Sequence, residues 1–156
     1  YCQELDVTTA DASLAAGDYN MLSQKIEGFN LQHIKKGASG AESLTLSFWV
    51  SSPKTGTHIV ELYDQTNSRQ ISKAYTVSAA NTWEKKTVTF AGDTSGTIAN
   101  SNANGLTLEF WLCAGSTYSS GTLNTSWAAI TNANRAVGQV NCMDNTSNDF
   151  KLTGVQ

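Results

Sequence analysis

Two Phe-Trp pairs are the residues here best suited to chemistry. They lie in Leu44-Thr45-Leu46-Ser47-Phe48-Trp49-Val50 and Leu106-Thr107-Leu108-Glu109-Phe110-Trp111-Leu112. Strict alternation puts Phe48 and Phe110 on an apolar face, so Trp49 and Trp111 point the other way. An outward indole can stack on the apolar face of a sugar ring. Tyr118, Trp127 and Arg135 add loop-borne aromatics and a guanidinium in a polar stretch, a combination suited to glycan contact. Trp49, Trp111, Tyr118, Trp127 and Arg135 are therefore the candidate carbohydrate-binding set. If Trp49 and Trp111 share one sheet, their rings form a platform near the size of a disaccharide. The competing expectation is that both are covered by the loops of 113–147, by a short helix or by another subunit, since large apolar groups are rarely left bare.

Other chemistry is thinly supplied. Glu61, Glu84 and Glu109 lie on candidate strands, where two of them could meet as in glycoside hydrolysis, but outward acidic residues are normally solvated. There is no GxSxG and no HExxH motif, and Gly92-Asp93-Thr94 followed by Gly96 is a turn without the helix a phosphate loop requires. His33 and His58 are far apart and lack metal-ligand spacing, and Trp83 is expected to anchor a sandwich edge. The expectation is a domain that is not an enzyme and holds no metal. Cys2, Cys113 and Cys142 form no zinc pattern. A Cys2–Cys142 bridge is the alternative to three reduced thiols; the reduced state is expected and fits a reducing cytoplasm.

These residues need strands to carry them. Further alternating or apolar runs at 58–63, 71–77 and 86–90, with strands near 3–9, 20–27 and 148–156, give eight short strands separated by turn-rich segments. Ile71, Tyr75 and Val77 share one face, as do Val88 and Phe90. Asn30 to Gly37 has a helix-start Asn, an apolar pair three apart, two lysines and a closing Gly, which predicts two turns of helix. Residues 113–147 are expected to be long surface loops with one short strand or turn near Ala136–Val140. The fold class predicted is an all-β antiparallel sandwich with one short helix, a single domain over 1–156. Because the chain opens on Tyr1 and stops on a strand-like run, it is expected to be a piece of a longer protein. Charged residues make up only 15% and net charge is −3, against a usual ~25% charged. There is no basic stripe for nucleic acid and no apolar run for membrane insertion.

Gln24-Lys25-Ile26-Glu27-Gly28, Ser47-Phe48-Trp49-Val50, Asn81 to Phe90, Gly92-Asp93-Thr94, Asn132 to Gly138 and Thr153-Gly154-Val155-Gln156 together resemble a domain of tail fibres and other virion proteins of tailed bacteriophages. The resemblance spans nearly the whole chain in order. It implies a jelly roll similar to carbohydrate-binding modules, with a structural or receptor-binding role in the virion and assembly in the host cytoplasm. Its partners would be other virion subunits and a host surface glycan, as a homo-oligomer that is a trimer if the parent is a tail fibre. The alternatives are a capsid decoration protein or a carbohydrate-binding module of a secreted bacterial protein. A weaker likeness to bacterial carbohydrate-binding modules rests on Asn81-Thr82-Trp83 and Phe150 to Thr153. Those modules often hold structural calcium through an aspartate of the last strand, where this chain has Thr153 and Gly154.

Overall fold

The alternating segments become strands in the computed structural model, which describes residues 1–156. They are β1 (Gln3–Asp6), β2 (Tyr19–Glu27), β3 (Leu44–Ser51), β4 (Gly56–Asp64), β5 (Arg69–Val77), β6 (Glu84–Phe90), β7 (Asn104–Ala114), β8 (Ala128–Ala129) and β9 (Asp149–Thr153). One antiparallel sheet has the order β1-β9-β3-β6 and the other β2-β7-β4-β5-β8. With the two-residue β8 set aside, the sheets read first-last-third-sixth and second-seventh-fourth-fifth. That is the wrapped double Greek key of a jelly roll. The fold is an all-β antiparallel sandwich.

The two Phe-Trp strands lie in different sheets and face each other through their phenylalanines. Phe48 and Phe110 meet edge to face with ring centroids 5.0 Å apart, and Tyr75 meets Phe48 at the same distance. Leu46, Val50, Val60, Leu62, Ile71, Val77, Phe90, Leu108, Leu112, Phe150 and Leu152 complete the core. Leu44 and Val88 pack at its margin and are half-buried.

The helix expected over Asn30–Gly37 forms earlier, as a 3₁₀ helix over Gly28–Ile34, with Asn30 inside it rather than capping its start. Residues three apart eclipse in that geometry, so Leu31 and Ile34 bury on one side, against Leu106. A side chain on Gly28 would meet the Ala99 carbonyl oxygen at 2.1 Å, which restricts this entry point to glycine. Lys35, in the left-handed region at φ 52°, ends the helix. Lys36 then turns inward. Its ammonium donates to Asp64 Oδ2 (2.5 Å), Ser95 O (3.0 Å) and Gly96 O (2.8 Å), and lies 3.1 Å from Asp93. Arg69 grips Asp93 at 2.7 and 2.9 Å. This network pins the helix and the 91–97 loop to the β4–β5 hairpin.

Residues 115–140 cross the outer face of the five-stranded sheet. They contain a one-turn helix α1 (Ser116–Ser119), β8 and a 3₁₀ turn Asn132–Asn134. The short strand or turn expected near Ala136–Val140 is a turn, closed by the Gln139 N–H donating to the Ala136 carbonyl at 3.1 Å; the short strand is Ala128–Ala129, paired with β5 at Gln70 and Arg69.

All three cysteines are free; Cys113 and Cys142 are buried, and Cys2 is exposed. Burial pushes the Cys113 and Cys142 thiols up to about 11 and about 12, which suppresses the reactive thiolate. The melting temperature is therefore expected to be the same with and without dithiothreitol; a drop of several degrees would reveal a stabilising disulfide.

Candidate functional site

Register decides what meets on the outer face of the five-stranded sheet. The β4–β7 ladder sets Glu61 opposite Glu109 and Tyr63 opposite Thr107. The β2–β7 ladder sets Ser23 opposite Glu109, Met21 opposite Trp111 and Lys25 opposite Thr107, and the β4–β5 ladder sets Ser72 opposite Glu61. Ser23, Glu109, Glu61 and Ser72 thus form one row across four strands. Two glutamates directly opposite each other repel, and a cation is required to hold them there.

Arg135 supplies it from the covering loop. Its Nε donates to Glu61 Oε1 (3.0 Å) and Oε2 (3.2 Å), and its Nη2 donates to Glu109 Oε2 (2.7 Å). The Trp111 indole N–H donates to Glu61 Oε2 at 2.9 Å. The guanidinium also lies over the rings of Tyr63 (4.9 Å) and Trp111 (5.1 Å), an arrangement that compensates a partly desolvated cation. Ser72 Oγ donates to the Arg135 carbonyl (2.8 Å), and the Ala136 N–H to the Tyr118 carbonyl (2.9 Å), so the backbone around Arg135 is fixed. Burial raises both carboxyls. Glu61 is pushed up to about 7, with the Glu109 charge adding to the rise against the pull of Arg135.

A raised carboxyl binds more protons in the folded chain than in the unfolded one. Its favourable contribution is present in acid and is lost as pH rises from about 4.5 to about 7. Glu61→Gln is expected to remove that slope, read as the difference between variant and parent in urea-unfolding free energy at pH 5 and pH 8. The difference matters because His58 acts oppositely. Burial lowers its pKa, so its contribution is lost as pH falls below 6.5. A parent and variant with parallel pH profiles would contradict the assignment.

Three of the five expected sugar-binding residues do come together: Trp111, Tyr118 and Arg135. Their roles differ from expectation. Trp111 is 0% exposed and Arg135 is buried, because the 115–140 segment folds over them. Neither can act as a stacking surface. Trp49 lies in the opposite sheet, on the opposite outer face, 43% exposed, so the shared Trp49–Trp111 platform does not exist. Equal Phe-Trp phase placed the two phenylalanines face to face, and that geometry forces the tryptophans apart. Trp127 closes one end of the sandwich, donating to the Ala91 carbonyl (2.7 Å) with the Lys36 ammonium 5.1 Å from its ring.

What remains accessible on this face is a rim. Tyr19 is 53% exposed and meets Tyr118 edge to face with centroids 5.0 Å apart. Met21 and Tyr63 are half-buried, and Ser23 and Lys25 are exposed along β2. Tyr19, Tyr63 and the paired glutamates were not singled out for this site from sequence. The alternation did place Glu61 and Glu109 outward, but not that β4 and β7 are neighbours in this register. Nor are these glutamates solvated, as outward acidic residues normally are; Glu61 is 0% exposed.

Calcium is the one cofactor a resemblance raised. Glu4, Asp6 and Asp149 bring ligand oxygens within 4.8 Å of one another where β1 meets β9. Lys151 Nζ lies 2.9 Å from Asp149 and 3.2 Å from Glu4. An ammonium already provides the positive charge at this cluster, so these residues fit an ion pair better than calcium. Compared with known proteins, the chain matches no family model, no curated protein and no solved structure.

Proposed function

We propose that the domain is a non-catalytic glycan-binding module, and that it serves as a structural or receptor-binding part of a tailed-phage virion. The glycan reading rests on one observation: exposed Tyr19 and half-buried Tyr118 meet edge to face at the rim of the small apolar cluster of Ile59, Trp111 and Ala136, on the face that holds the Arg135–Glu109 ion pair. Tyrosine rings offer a sugar its stacking surface, and the exposed Ser23 and Lys25 offer hydrogen bonds along the same strand. The virion assignment rests on the sequence resemblance. A hydrolytic role is disfavoured by the same geometry, since Glu61 has no exposure and both carboxylates are spent on Arg135. A glycosidase needs both acids to reach the scissile bond.

Each stacked ring contributes about 0.5–1.5 kcal/mol. A single site is then weak, and a useful receptor interaction needs several linked copies, which is the reason to expect an oligomer. Tyr19→Ala and Tyr118→Ala are expected to weaken glycan binding about two- to tenfold each, measured by glycan array with a trimerised form of the domain. Unchanged binding by the folded variants would remove this site. Absence of binding by the parent would leave the capsid-decoration or spacer role, which the closed Glu61–Arg135–Glu109 cluster suits.

A further inference from the structure

The opposite face of the sandwich carries a second aromatic arrangement, built around Trp49. On β3, Ser47 exchanges both backbone hydrogen bonds with Gln156 (2.9 Å each). Odd-numbered β3 residues therefore meet β6 in the non-hydrogen-bonded pairing, where facing side chains approach most closely. The 3.0 Å contact between Thr45 Oγ1 and Thr89 Oγ1 shows this closeness. Trp49 is directly opposite Lys85 in the same register. Trp83 precedes Lys85 by two residues and is 41% exposed, where an edge anchor was expected. Trp83 immediately precedes β6, at the end of the strand where Lys85 meets Trp49. Thr153 borders Trp49 on the other side.

On this sheet Lys151 takes up the carboxylates of Glu4 and Asp149, and the charge opposite Trp49 is that of Lys85. Of the ten basic side chains, seven are held in ion pairs, Lys73 donates to the Thr125 carbonyl, and exposed Lys25 lies on β2 of the other sheet. Lys85 is exposed, makes no ion pair, and is opposite Trp49 and two residues after Trp83, both exposed indoles. Neither indole N–H has a partner within the chain, whereas those of Trp111 and Trp127 do. We propose that Trp49, Lys85 and Trp83 form a second saccharide site whose ligand is a carboxylated sugar, with the indoles stacking on the ring and the ammonium pairing with the carboxylate. This site is independent of the Tyr19–Tyr118 site, which lies on the other sheet.

The indole N–H signals in a ¹H–¹⁵N correlation spectrum read the two faces separately, assigned with Trp49→Phe and Trp83→Phe. Titration with a galacturonate tetrasaccharide or with sialyllactose is expected to move the Trp49 and Trp83 signals while those of Trp111 and Trp127 stay in place; the arm that responds identifies uronate or sialate. Lys85→Gln is expected to weaken the interaction about two- to fivefold, as is raising the salt concentration. Equal response to the neutral galactose tetrasaccharide, indifference to Lys85→Gln, or no movement with either acidic sugar would overturn the proposal. So would movement of the Trp49 and Trp83 signals on simple dilution, which would assign the face to a second copy of the chain. Movement of the Trp111 signal alone would overturn this site and leave the proposal for the other face standing.

Discussion

Replacing Arg135 by Ala is expected to lower the unfolding free energy by about 3–5 kcal/mol at pH 8, because it strands two buried carboxylates side by side. Glu61 loses two of its three hydrogen bonds, both made by the Arg135 Nε–H, and Glu109 loses its partner. The deficit should shrink toward pH 5. Both carboxyls are already raised by burial with the cation present; without it they rise further and are neutralised in the folded chain as pH falls. Urea titrations of parent and variant at the two pH values test this. The triple variant Arg135→Met, Glu61→Gln, Glu109→Gln provides the complementary measurement, and is expected to regain much of the loss, since removing a whole buried ionic group costs far less than breaking it. A deficit under about 1 kcal/mol, typical of exposed pairs, would mean that water reaches the cluster and that the 115–140 segment is not clamped as described.

Phe48→Ala is expected to cost about 3–5 kcal/mol, and Phe110→Ala a similar amount. Both side chains are buried, and Phe48 touches Tyr75 and Phe110 at once, so either truncation opens a cavity where the two sheets meet. A domain of this size holds only about 5–15 kcal/mol in total, and either variant should unfold at markedly lower urea concentration. Val88→Ala, at the half-buried margin of the core, should cost clearly less. Equal losses at positions 48 and 88 would contradict the placement of the sheets. The double variant Phe48→Ala, Phe110→Ala should fall short of the sum, because the two rings share one contact.

Local alternation was enough to place eight of the nine strands, β8 excepted, and their inward faces. Alternation is a local property with a period of two, and a side chain's facing follows from it without knowledge of its neighbours. Leu46, Phe48 and Val50, like Leu106, Leu108, Phe110 and Leu112, are buried as the alternation requires. The presence of a short helix was also legible from the apolar pair Leu31 and Ile34, but not its 3₁₀ form or its bounds, since Asn30 lies inside it and Lys35 ends it. Tertiary structure alone decided which strands are neighbours and in what register. That is why Trp49 and Trp111, alike in local sequence, ended on opposite faces, and why Glu61 and Glu109, 48 positions apart, became a buried pair. It also decided what the irregular 115–140 segment covers, since a loop without periodicity carries no sign of which face it will seal. Arg135 lies over two like charges that the pairing of β4 with β7 places opposite each other, and they can be buried in ionised form only beneath a cation. That requirement arises from long-range pairing and is absent from every local stretch of the chain.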